Sequence, residues 1–189
     1  MKNKADRWGR NGAAWLSAIL LACQLSGAAG AEEQVAALRP YVSWSGAHSK
    51  LAERLCLRIT SQEEWAKLWE RHAVKGTDVP QVDFGHCMVV AAFQGKASNS
   101  DGVVAKSITE KAGRILVRLD ERFYQTLGPD GGGVRVTAYG LFVLPRSSKP
   151  VVVEENAQST IGAPAVWKER KRFGAVTQPV RWEPRTIWE

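Results

Sequence analysis

The run Met88–Phe93, M-V-V-A-A-F, is apolar without interruption, which is the pattern of a strand covered on both of its faces. Anything folding around it must supply an apolar layer on each side. The surrounding stretch from Val82 to Thr109 reads as a hairpin: a strand from Cys87 to Phe93, a polar turn containing Gly95, Ser98, Asn99, Ser100, Asp101 and Gly102, and a returning strand from Val103 to Thr109.

Further strands follow from alternation and turn residues. Arg54–Thr60 places Leu55, Leu57 and Ile59 on one face and Cys56 and Arg58 on the other. Arg114–Asp120, a long segment Val134–Pro145 with Gly140 as an expected bulge, and Val151–Glu154 complete the set. One helix stands out. Thr60 or Ser61 with Glu63 or Glu64 forms a capping box, and Trp65, Leu68, Trp69, His72 and Ala73 follow at helical spacing, with Gly76 as the stop. At that spacing the two tryptophans are expected to pack on a sheet rather than to form a platform for an aromatic or carbohydrate ligand. The expected fold class is α+β: a mainly antiparallel sheet, or a partly closed barrel or sandwich, with one principal amphipathic helix packed on it. A length of 189 residues and 44% apolar composition suit one core of ordinary size.

Residues 1–31 belong to another category. Lys2, Lys4, Arg7 and Arg10 precede an apolar run from Ala13 to Leu25, too short for a stable membrane span, and Ala29-Gly30-Ala31 offers a small-x-small cleavage site. This is an export signal, with Leu20-Leu21-Ala22-Cys23 as a competing lipobox that would make Cys23 a lipidated first residue. The expected location is periplasmic, secreted or lipid-anchored in the cell envelope. Removing residues 1–31 takes four basic residues and Asp6, so the formal charge falls from +7 to +4. The remaining basic residues are spread among acids, which argues against nucleic acid as a partner.

After export Cys56 and Cys87 form an even pair in an oxidising compartment, and a disulfide or two buried thiols are both open. Residues 32–50 read as an extended lead-in, beginning with a short helical turn at Glu32–Leu38 stopped by Pro40. Residues 51–155 read as the α+β domain, and 156–189 as a basic, tryptophan-rich tail wrapping it. Within that tail Lys168–Arg172 is a solvated charged face or a contact for an anionic partner or lipid headgroup.

The chemistry-bearing residues do not assemble into a recognised motif. His48, His72, His86 and the cysteines lack the close spacing of metal ligands, and His86 and Cys87 would project to opposite faces of a strand. The sequence has no G-x-S-x-G turn, and Gly128–Gly133 is not followed by the Lys-Ser or Lys-Thr of a phosphate cradle. Asp101 and Asp130 each stand before glycine, which is turn chemistry rather than a calcium loop. No cofactor and no metal are expected. The polar loops Ser98–Gly102 and Leu127–Gly133, with Asp130, are the candidate partner-binding elements on a rigid sheet.

The order of S-G, strand, E-E-W-A-K-L-W, V-D-F, C-M-V-V-A-A-F-Q-G, polar turn and strand, over about residues 45–155, resembles the C-terminal domain of the PrcB family. The chain departs from that family's threonine-glycine-glycine-tyrosine type of turn, carrying Ser98-Asn99-Ser100-Asp101-Gly102 instead. The resemblance implies an accessory module of surface protease complexes without catalysis of its own. The expectation is therefore an exported, non-catalytic protein-binding module, stabilising or regulating an envelope protease. A protease inhibitor, and a hydrolase or metal-dependent enzyme built from gathered histidines, are the alternatives.

Overall fold

A computed structural model describes residues 35–111, 113–126, 133–158, 160 and 162–176. In chain order the elements are β1 (Ala36–Leu38), β2 (Val42–Gly46), β3 (Arg54–Ile59), α1 (Gln62–His72), β4 (Cys87–Gln94), β5 (Ala97–Ser98), β6 (Ser100–Lys111), β7 (Arg114–Phe123), β8 (Arg135–Val136), β9 (Tyr139–Pro145), β10 (Val151–Asn156) and β11 (Trp167–Phe173). They build an α+β fold of two stacked, mostly antiparallel sheets with the helix on the outside. A five-stranded sheet runs β1-β6-β7-β10-β11, a four-stranded sheet runs β2-β9-β4-β3, and β5 pairs with β8 in a short ribbon. The one parallel pairing is β7 with β10. The sheets are not closed into a barrel.

Strand β4 shows why the apolar run dominates the architecture. Met88, Val90 and Ala92 enter the core between the sheets, where Phe142, Val117 and Val153 meet them. Val89, Ala91 and Phe93 face the other way, into a second core with Trp65, Leu68 and Trp69 of α1. Both faces are dry because the strand is central, with β3 on one edge and β9 on the other.

That central position overturns the hairpin reading. Strand β4 has no free edge for β6, which pairs with β7 and β1 in the opposite sheet. The segment between them is a crossing from one layer to the other, turned by Gly95 at φ 72°, Asn99 at φ 58° and Gly102 at φ 134°. Gly140 is likewise not a bulge: it pairs regularly with Ser45 and Ala92. A Cβ there would lie 2.5 Å from the Val103 carbonyl oxygen, so its bareness lets the layers approach at this corner.

Both flanks of the expected domain are sheet strands. Ala36–Leu38 is β1 on the edge of the larger sheet rather than a helical turn, because pairing with Ile108, Thr109 and Glu110 outweighs the helical preference of alanine. Lys168–Arg172 lies in β11, an edge strand bonded along β10, rather than in a wrapping tail. The folded unit therefore extends beyond residues 51–155 on both sides.

Helix α1 starts as its sequence requires. Ser61 Oγ accepts from the Glu64 amide at 3.2 Å, and Glu64 Oε2 accepts from the Thr60 amide at 3.0 Å. It ends at His72 with Ala73 as the cap, before Gly76, which serves the following turn. The indoles hold that turn: Trp65 Nε1 donates to Pro80 O at 2.8 Å and Trp69 Nε1 to Thr77 O at 3.3 Å.

Cys56 and Cys87 are free thiols, which corrects the disulfide reading. Cys56 lies opposite Ala92, five positions along β4 from Cys87. At about 3.3 Å per residue that offset far exceeds the bridging range of about 7 Å between Cα atoms. Cys56 also faces the core between the sheets, while Cys87 packs toward the helix.

Candidate functional site at one end of the sandwich

Strand register brings the loops together. Gln94 lies opposite Arg54, Phe93 opposite Tyr139, Tyr139 opposite Gly46, and Ser100 opposite Phe123. One end of the sandwich therefore carries the exit of β2, the entry to β3, the turn into β6, the exits of β7 and β10 and the entry to β9. The opposite end carries short turns and the exposed His86–Asp83 pair at 2.9 Å.

Of the turn residues, Asn99, Ser100 and Gly102 are structural. The Asn99 amide donates to Val134 O at 2.9 Å, its Oδ1 accepts from the Val134 amide at 2.7 Å, and its carbonyl accepts from the Tyr124 amide at 2.9 Å. Ser100 is fully buried, and its Oγ accepts from the Gly102 amide at 3.3 Å. A Cβ on Gly102 would lie 2.7 Å from the Gly46 nitrogen. Ser98 and Asp101 are exposed, and they face different cavities. Of the second loop only Gly133 is described, with Ser98 beside it, and the chain that follows joins the turn as Asn99 bonds Val134 and Ser98 lies opposite Arg135. Asp130 and Cys23 lie outside the described residues, as does the export signal.

Three of the cavities at this end differ in chemistry. The first, about 510 Å³, is lined by His48, Lys96, Ala97, Ser98, Arg135, Val136 and Thr137, with no acid among them. The second, about 440 Å³, carries Arg54, Lys96, Glu121 and Glu155 together. Burial raises the Glu121 carboxyl above its ordinary range, and its Oε1 is buried without a hydrogen-bond partner. Beside it Arg170, its side chain only 6% exposed, reaches between the sheets at the irregularity of β11. It donates to Gln94 Oε1 at 3.0 Å, Leu55 O at 3.1 Å and Phe93 O at 2.6 Å, and pairs with Glu155 at 3.3 Å. Sequence reasoning missed this arginine, because in a run of five charged residues nothing marks the one that turns inward.

The third cavity, about 410 Å³, is bordered by Trp44, Trp69, His48, His72 and Tyr139. Trp69 and His72 are buried, and His72 stacks edgewise on Tyr139 at 4.3 Å. His72 Nδ1 lies 2.9 Å from Ser49 Oγ, the one histidine–hydroxyl pair among the described residues. Burial, followed by the charge of Lys50, drops the imidazole to about 4, so it is a weak base at neutral pH. Ser49 Oγ is also engaged by the Leu51 amide at 3.0 Å. The cysteines are tuned in the same unreactive direction: burial pushes the Cys56 thiol to about 11, and burial and then Asp83 raise Cys87. The three histidines do not converge, because His72 packs on Phe93 while His86 precedes the far end of the same strand.

No family model, no curated protein and no solved structure matches the chain.

Proposed function

We propose that this chain is a non-catalytic binding module that engages a protein partner through the loop end of its sandwich, in the cell envelope after export. The observation that carries the reading is the placement of Ser98, Asp101, His48 and Arg135 at one end of a rigid pair of sheets. The suppressed reactivity of Ser49–His72 and of both thiols supports binding over group transfer. The likeness to an accessory domain of surface protease complexes points to the same role, with an envelope protease as the partner.

Recovery of a partner from the envelope fraction tests this. Ser98→Arg and Asp101→Arg change exposed side chains and leave the buried joint of Ser100 and Gly102 intact, so the fold is expected to survive. Recovery should fall in at least one of the two. Undiminished recovery in both removes this end of the molecule from the reading. Stoichiometric inhibition of the recovered protease would recast the module as an inhibitor.

A further inference from the structure

We infer that the cavity between His48, Lys96 and Arg135 is a carboxylate-binding site that takes an acidic segment of the protein partner. The inference deepens the proposed function and rests on the reading of this end as a protein-binding surface.

The short ribbon of β5 and β8 sets the chemistry. Ser98 lies opposite Arg135, and Ala97 opposite Val136. Alternation sends Val136 inward, where it is 4% exposed, and leaves Ser98 and Arg135 exposed together on the outer face, while Lys96, exposed in the bend just before β5, borders the same cavity. Lys96 and Arg135 border the same cavity, so a single carboxylate segment lying in it meets both charges. Two like charges so placed repel each other unless an anion lies between them.

Lys96 also borders the neighbouring cavity that holds Glu121 and Glu155. Among the described residues neither Lys96 nor Arg135 has a carboxylate partner, whereas Arg54, Lys106, Arg118, Lys149, Arg170 and Arg172 each have one within 4.0 Å. The lining of the cavity contributes donors: two cations, the His48 imidazole and the Ser98 hydroxyl.

His48 is held against this face by a tight backbone bracket. The Thr137 amide donates to Ala47 O at 2.8 Å and the Ser49 amide donates to Thr137 O at 3.1 Å. Thr137 Oγ1 closes the bracket, donating to Ser49 O at 2.6 Å and accepting from the Ser49 amide at 2.8 Å. The site is thus preorganised on both walls, and its volume of about 510 Å³ suits a few residues of extended chain rather than a single ion. A planar guanidinium favours bidentate contact with a carboxylate, and a lysine beside it adds charge without demanding geometry.

The test is fluorescence anisotropy of the full chain with fluorescein-labelled hexaglutamate, against labelled hexaglutamine, with inorganic phosphate as competitor. The acidic peptide should bind, and its affinity should fall as ionic strength rises from about 0.05 to about 0.5 M. Lys96→Gln combined with Arg135→Gln should weaken it about tenfold, while Lys75→Gln combined with Arg114→Gln, the same loss of charge at exposed sites outside this cavity, should leave it unchanged. Equal weakening by both pairs, or equal binding of hexaglutamine, overturns the site. Displacement by phosphate at the same concentration as peptide overturns the peptide assignment in favour of a small free oxyanion. Partner recovery with the same variants separates the two levels. If Ser98→Arg abolishes recovery while the Lys96/Arg135 pair does not, the binding module stands and the carboxylate site falls. If neither does, and Asp101→Arg also leaves recovery undiminished, the reading of this end as a binding surface falls with it.

Discussion

Gly140, His72 and Glu121 each sit under a packing or burial constraint that makes a separate prediction. Gly140 has room for hydrogen and little else, since a Cβ would sit 2.5 Å from Val103 O and 2.8 Å from the Phe142 ring. Gly140→Ala should therefore cost about 1–3 kcal/mol in urea denaturation, by forcing the sheets apart at that corner. His72 is 5% exposed and titrates at about 4, against 6.5 in the unfolded chain. The unfolded chain binds the proton more readily, so stability is full above pH 6.5 and is lost as the pH falls toward 4, by up to about 3 kcal/mol. Denaturation midpoints at pH 7, 5.5 and 4 should show this loss, and His72→Gln should flatten it. Glu121 has the opposite sign. Its carboxyl is raised by burial, so the fold holds its proton more tightly than the unfolded chain does, and ionisation at neutral pH opposes folding. Glu121→Gln should raise Tm at pH 7, with the gain disappearing in acid as the wild-type carboxyl becomes protonated.

At the scale of elements, α1 and β11 are anchored by different physics. The helix begins on a capping box and packs Trp65, Leu68 and Trp69 onto the outer face of β4, and that information is local and periodic. Ser61→Ala should cost about 1 kcal/mol, read from the same denaturation curves. Strand β11 is held at the sandwich edge by a charge. Arg170 spans the gap between the layers, bonding the carbonyls of Leu55 and Phe93 in one sheet and Glu155 in the other. Arg170→Met leaves those acceptors buried and unpaired and should cost about 3 kcal/mol, whereas Lys171→Met next to it, an exposed side chain, should stay within about 0.5 kcal/mol. The even charge pattern of Lys168–Arg172 gives no sign of that difference.

For the whole molecule, the separation of the two cores fixes the state of the thiols. Thiol titration of the unreduced, unfolded protein should find Cys56 and Cys87 both free, and the native protein should react slowly at Cys56, which is buried and raised to about 11. The same architecture explains what was legible beforehand. The doubly buried strand, the capped helix and the fold class could be read from residue spacing, because each depends on neighbours within a few positions. The polar turn was recognised as a turn, but the division of labour inside it was not. Ser100 and Gly102 look as solvent-seeking as Ser98 and Asp101 until the second sheet is laid over them.

What the sequence determined by itself was the central strand, the capped helix and the faces they bury, since period and capping are properties of short stretches of chain. Tertiary structure decided which edges meet. The run Met88–Phe93 demanded cover on both faces but was silent on whether β6 or β9 would lie beside it, because hydrogen-bonding edges carry no side-chain signature. Once β3 and β9 occupied both edges, the chain after Gly95 had to cross to the other layer. That crossing brought Lys96 and Ser98 beside Arg135, residues separated in sequence by the whole of β6 and β7, and so created the cationic cavity that no local pattern announces.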